Sequence, residues 1–264
     1  MARAKRHYIP GQIWHITHRC HKRDFLFKFS KDRRRWLQWL YQAKKRYGLP
    51  ILNYTVTSNH IHLLVKDDND RETIPRSIQL VAGRVGQEYN QRKKRQGAFW
   101  EDRYHATAVD QENHLMRCLV YIDLNMVRAG VVKHPAEWPF SGYNEIQHPK
   151  RKNRLIHYEK LMELCGAETY DAFKQNHKML VEEVLCADKL ARDEKWTKSI
   201  AVGSRDYVER IKKQLGALAS GRMPQQTTET TCHLREPHIS YNALSGAENG
   251  DIDHENAYIW DIYE

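Results

Sequence analysis

The 264-residue sequence predicts an α+β fold, with helices packed on an antiparallel sheet, and three observations carry that reading. Short stretches rich in β-formers at residues 12–17, 51–57, 60–66 and 99–109 read as strands. Apolar residues recur at helical spacing over 30–47, 73–94 and 112–128. These segments alternate as strand, helix, strand hairpin, helix, strand, helix, which suits one layer of helices against one sheet.

Residues 12–17 alternate in polarity around Trp14 and Ile16. His15, His18, Cys20 and His21 lie close together there, but their spacing mixes the two faces of a strand with a turn, which argues against a metal cluster. In the first helix Trp36, Leu37, Leu40 and Tyr41 form the apolar stripe, Ser30 is the expected N-cap and Gly48 the stop. Arg33-Arg34-Arg35 and Lys44-Lys45-Arg46 are expected on its outer surface, where cations without interleaved acids suit phosphate. Asn59 falls at a tight turn between the next two strands. Side chains at i and i+2 of a strand share a face, so His60 and His62 converge on one object while Ile61 and Leu63 face away. They are a candidate pair of metal ligands, or two ordinary histidines of a half-exposed strand.

The second helix presents Ile78, Val81, Val85 and Tyr89, and ends in Arg92-Lys93-Lys94-Arg95, which suits the helix macrodipole as well as it suits DNA. Residues 99–109 mix aromatics with cations at Trp100, Arg103, Tyr104 and His105, the composition of single-strand grooves, although Trp100 serves a core equally. The third helix carries Tyr121 and Asn125 one turn apart on one face. A carboxamide oxygen at that place suits a hard cation; the alternatives are a capping role for Asn125 and a core role for Tyr121 beside Val120 and Leu124.

Four segments occur in order: His60-Ile61-His62, Phe99-Trp100-Glu101-Asp102-Arg103-Tyr104-His105, Tyr121 to Gly130, and Trp138-Pro139-Phe140-Ser141. Together they resemble the single-tyrosine (Y1) transposases of the HUH superfamily, specifically the repetitive-extragenic-palindrome (REP)-associated tyrosine transposases of bacteria. The resemblance covers about residues 5–147 and implies a ferredoxin-like sheet. It further implies Tyr121 as the nucleophile, His60, His62 and Asn125 as metal ligands, and Mg²⁺ or Mn²⁺ as the cofactor. Two neutral imidazoles by themselves favour zinc or softer metals. The implied substrate is single-stranded DNA folded into palindromic-repeat hairpins, and the implied product a 5′-phosphotyrosine link with a free 3′-hydroxyl. Family members include monomers and homodimers. One departure is Met126, where the family usually has proline after the asparagine.

Composition agrees with a nucleic-acid partner before a membrane: the net charge is +10 and the pI about 9.3. Residues 1–50 hold fourteen Lys or Arg against Asp24 and Asp32, whereas residues 223–264 hold eight acids against Arg235. By charge, Arg3, Lys5, Arg6, Arg92, Lys93, Lys94, Arg95 and Arg103 are candidates for gripping DNA, with Tyr104 as a stacking partner. Five widely spaced cysteines without a CxxC pair argue against a disulfide framework and a structural zinc site, which suits a reduced, cytoplasmic protein. No apolar run approaches the ~20 residues of a membrane span, and no signal-peptide core follows Met1. After a basic linker at 149–154, helical patterns at 155–165, 170–191 and 204–218 suggest a helical accessory region over 155–219. Residues 220–264 are expected to be a disordered acidic tail, with Tyr258-Ile259-Trp260 as a docking segment at its end.

The sequence therefore points to a metal-dependent single-strand DNA endonuclease and strand transferase. A hairpin-DNA-binding protein that keeps the fold without transfer activity is the alternative. A zinc hydrolase built on His60 and His62 lacks an acidic third ligand and a water-activating Glu nearby.

Overall fold

A computed structural model describes residues 8–187 and 190–235 of the chain. The first strand, β1 (Ile13–Arg19), is buried on both faces over most of its length, as befits a strand with neighbours on either side. It leads into α1 (Ser30–Tyr47), which ends where Gly48 takes the left-handed conformation with φ 70°. The hairpin β2 (Ile51–Val56) and β3 (His60–Lys66) follows, then α2 (Thr73–Lys93), β4 (His105–Val109) and α3 (Asn113–Asp123). These four strands lie in the order β2-β3-β1-β4, all antiparallel, which is the ferredoxin-like arrangement.

Two local expectations change. The expected continuous helix over 112–128 breaks at Leu124 (φ −78°, ψ 4°), so Asn125 opens a separate turn, α4 (Asn125–Arg128). The apolar period runs unbroken through that break, so nothing in the pattern marks it. Arg33, expected on the outer surface of α1, is instead buried: its guanidinium packs 4.7 Å from the Trp138 ring and 5.1 Å from Phe140, and donates to the Lys28 carbonyl. Phe29, not Ser30, occupies the N-cap position of α1. The Trp138 to Ser141 segment works as a clamp on β2, its indole donating to the Val56 carbonyl at 3.1 Å.

Beyond residue 140 come α5 (Tyr143–Gln147), α6 (Tyr158–Leu164), α7 (Tyr170–Cys186) and the short α8 (Lys195–Lys198). The expected helical accessory region is not purely helical. β5 (Ser199–Gly203) pairs parallel with β4, and after α9 (Arg205–Leu215) the hairpin β6 (Pro224–Thr228) and β7 (Thr231–Arg235) completes a seven-stranded sheet in the order β2-β3-β1-β4-β5-β7-β6. Residues 224–228 and 231–235, expected within a disordered tail, are thus strands of the sheet. Ile200, Val202 and Leu234 bury apolar side chains, while β6 is a polar edge whose Gln and Thr residues face solvent. The remainder of the expected tail, including Tyr258, Ile259 and Trp260, lies outside the described residues. Among those described, no helix is long and apolar enough to cross a membrane.

Candidate active site

The site forms at one end of the sheet. Five adjacent strands present the same end there: β3 starts at His60, β1 finishes at Arg19, β4 starts at His105, β5 starts at Ser199 and β7 finishes at Arg235. Registered pairs point their side chains to one face, so Arg19 opposite His60 and Thr17 opposite His62 and His105 share that face with His15.

His60 and His62 converge as the strand period requires, with their Nε2 atoms 3.1 Å apart. Asn125 comes within 2.9 Å of His62 Nε2 through its carboxamide. The turn before β3 holds His60: its Nδ1 lies 2.7 Å from Asn59 Oδ1 and 2.9 Å from Thr57 Oγ1. Behind His62 stands His15, stacked at 5.0 Å between ring centroids, with Nε2 2.8 Å from His62 Nδ1. Burial keeps all three rings neutral. It lowers His60 to about 4, His15 to about 3 and His62 well below the usual imidazole value, with neighbouring imidazoles and cationic Arg side chains adding to burial.

Tyr121 stands on the last turn of α3, its ring 6.0 Å from His62 and 6.1 Å from both His15 and Trp196. Its phenol is pushed above the ordinary value by burial, which the positive charges of Arg128 and Arg192 oppose. Arg128 reaches back from α4, lies 4.2 Å over the tyrosine ring and donates to the Tyr121 carbonyl. A cavity of about 520 Å³ brings Tyr121, His60, His62 and Asn125 together. Its charged lining is Arg19, Arg23, Arg128, Arg192 and Lys198 against Glu194 alone. A second cavity of about 540 Å³ shares Thr17, Arg19, Glu194, Thr197 and Lys198 with the first and runs on to Arg103 and Arg235, with Glu101 and Asp102 beside them. The cation excess of the first cavity favours an anionic ligand.

The expected metal fits the residues present. Two neutral imidazoles offer nitrogens about as far apart as adjacent ligands of an octahedral ion with ~2.1 Å bonds, which lie ~3 Å apart. Among the described residues no third His, Cys, Asp or Glu joins them, so the third donor of this set is the Asn125 carboxamide.

The expected DNA-gripping residues separate. Arg103 lines the second cavity. Arg92 pairs with Asp32, Lys93 lies 5.2 Å over the Phe29 ring, Lys94 caps α2 in the left-handed conformation, and Arg95 donates to Asn90 and Ala98. Tyr104 meets the His18 ring edge-on at 6.4 Å, and Trp100 stacks on His18 at 4.0 Å while its indole donates to the Ala82 carbonyl. Arg3, Lys5 and Arg6 lie outside the described residues. Sequence reasoning did not assign His15, Arg19, Arg128, Arg192 or Trp196 to the site. Counting β1 by twos puts His15 and Arg19 on one face, a signal that was there to use.

Residues 9–125 match the family described as Transposase IS200 like. This segment is similar to the IS200-like transposases over 117 of the chain's 264 residues. Transposases act on DNA, in keeping with the cationic lining of the Tyr121 cavity. Two solved structures are similar to the chain. One, a REP-associated tyrosine transposase bound to a REP hairpin, is 21% identical with a TM-score of 0.44, covering 55% of this chain and 84% of that one. The other, a candidate transposase from Deinococcus radiodurans R1, is 15% identical with a TM-score of 0.31, covering 40% of this chain and 84% of that one. No curated protein matches the chain.

Proposed function

We propose that this protein is an IS200-like transposase that cuts and rejoins single-stranded DNA at palindromic-repeat hairpins, with Tyr121 as nucleophile and Mg²⁺ or Mn²⁺ held by His60, His62 and Asn125. The observation that carries the reading is the shared cavity: a phenol, two neutral imidazoles and a carboxamide open into one space with five cations around it. The hairpin preference comes from the sequence resemblance to REP-associated transposases.

In the proposed reaction the Tyr121 oxygen attacks phosphorus and the P–O3′ bond breaks. The phenolic proton passes to water, and the departing oxygen takes up a proton to become a free 3′-hydroxyl. The 5′-phosphate stays on the tyrosine until another 3′-hydroxyl attacks it, re-forming a phosphodiester and the phenol, so one difficult transfer becomes two easier ones. Arg128 and Arg192 favour the phenolate form of Tyr121 against the effect of burial. Arg19 and Arg23 supply positive charge where the scissile phosphate would lie. A bound divalent cation would neutralise the non-bridging oxygens of that phosphate. For Asn125 to serve as a ligand its carboxamide turns by half, exchanging the nitrogen that now faces His62 for the oxygen.

The test is incubation of wild type and Tyr121→Phe with labelled hairpins carrying single-stranded flanks, with and without Mg²⁺ or Mn²⁺, followed by a denaturing gel. A metal-dependent protein–DNA adduct, lost in the Phe variant, is the expected result. Hairpins that bind without adduct or cut would leave a hairpin-binding protein in its place.

A further inference from the structure

We infer that His15 is a positioning residue that fixes which nitrogen of His62 faces the Tyr121 cavity, and that the backbone carbonyl of Trp196 anchors it. A carbonyl oxygen can only accept a hydrogen bond. His15 Nδ1 lies 2.8 Å from that of Trp196, so Nδ1 carries a proton and donates. The ring is fully buried and among the described residues no carboxylate bonds to it, so it is neutral and its Nε2 holds a lone pair. That lone pair accepts from His62 Nδ1 at 2.8 Å, which places the single proton of His62 on Nδ1 and leaves its Nε2 bare. Asn125 agrees from the other side, its Nδ2 donating to the bare Nε2 at 2.9 Å.

A parallel chain sets His60. Asn59 Nδ2 donates to the Arg23 carbonyl at 3.2 Å, which turns Asn59 Oδ1 toward His60 Nδ1 at 2.7 Å. The proton of His60 therefore sits on Nδ1 as well. Two bare Nε2 atoms then face each other at 3.1 Å, a repulsive arrangement that a shared cation relieves. Trp196 lies in the C-terminal region, well beyond the family segment of residues 9–125. That region thus reaches the buried side of the site through this carbonyl, besides lining the cavity with Arg192, Glu194, Thr197 and Lys198, and Thr107 shares the same acceptor at 3.3 Å.

The tautomer itself follows from hydrogen bonding alone; its consequence for a metal rests on the proposed function. The experiment therefore reads both separately. Long-range ¹H–¹⁵N correlation spectra of the metal-free, ¹⁵N-labelled chain at neutral pH report which nitrogen of each imidazole is protonated. Wild type is expected to show His62 protonated at Nδ1. In His15→Gln, the side-chain oxygen can accept from His62 Nδ1 while its nitrogen donates to Trp196, so the tautomer is kept. In His15→Phe it is expected to be lost or mixed, and Mn²⁺ affinity by calorimetry to fall about 10–100-fold while the Gln variant stays within a few-fold of wild type. Protonation of wild-type His62 at Nε2, or an unchanged tautomer in the Phe variant, overturns the inference. Should His15→Phe fail to fold, the wild-type and Gln spectra decide alone. The expected tautomers without any Mn²⁺ or Mg²⁺ binding would leave the positioning role standing and remove the metal role.

Discussion

Burial raises the Tyr121 phenol above its ordinary value, and Arg128, whose guanidinium lies 4.2 Å over the ring, opposes that rise. Reactivity of such a phenol rises with pH as the phenolate fraction grows, and removing the cation moves that rise to higher pH. Arg128→Gln is therefore expected to lower the single-turnover rate of adduct formation near pH 7.5 by about tenfold or more, the loss narrowing as pH increases, since one pKa unit is worth about tenfold in phenolate. A pH–rate profile of both proteins checks it; parallel profiles with a constant offset would assign Arg128 a purely structural role. His60 and His62 were legible because a strand's period of two is written in the side chains themselves. The face of His15 was legible by the same count, but its anchor was not, since that partner is a backbone carbonyl 181 residues away, and a carbonyl carries no residue-type signature.

The helix α3 holds its tyrosine in place through Asp123, its last residue, which is fully enclosed. Asp123 accepts from Asn53 of β2 at 3.0 Å and contacts His177 of α7 at 2.9 Å, so three elements meet at one carboxylate. Asp123→Ala orphans both partners and is expected to cost about 3–5 kcal/mol, read as a lowered midpoint in urea denaturation. A change below about 1 kcal/mol would mean that the network is replaceable. A second buried cluster predicts the behaviour in alkali. Glu145 of α5 accepts from the Leu155 and Ile156 amides at 2.7 and 2.8 Å, with Tyr54 and Tyr158 around it. Burial pushes Tyr158 up to about 12 and Tyr54 well above its ordinary value. Between pH 10 and 12 the unfolded chain releases these protons while the folded one keeps them, so stability is complete below pH 10 and falls as pH rises. Thermal denaturation at about pH 8 and about pH 10.5 is expected to show the lower midpoint at the higher pH. At this scale the apolar periods made every long helix legible, whereas the break at Leu124 was not, because it changes the backbone without changing the pattern.

The described residues form one sheet with the candidate site along one end, and the C-terminal strands lengthen that end. Lys198, just before β5, lines both cavities, and Arg235, at the end of β7, lines the second. If a single strand follows the shared lining, Lys198→Ala combined with Arg235→Ala is expected to weaken binding of a hairpin with a single-stranded flank and to reduce the salt slope by about 0.7 for each phosphate no longer neutralised. Binding of a bare hairpin serves as the control; equal weakening on both DNAs would place these cations elsewhere on the path. The first four strands were legible because they are runs of β-formers set between helical patterns. β5 to β7 escaped notice because they are five residues each, and β6 is polar like a loop. Their place in the sheet is set by packing against β4 and α9 more than by their own composition.

Covalent joining of Tyr121 to DNA is the step on which the proposed chemistry turns, and peptide mapping reads it without an intermediate inference. The adduct formed with Mn²⁺ on a flanked hairpin would be digested with nuclease and protease and sequenced by mass spectrometry. A nucleotide attached through its 5′-phosphate to the peptide carrying Tyr121 is expected; attachment at another residue, or a cut that leaves no protein-bound nucleotide, would refute tyrosine-mediated transfer.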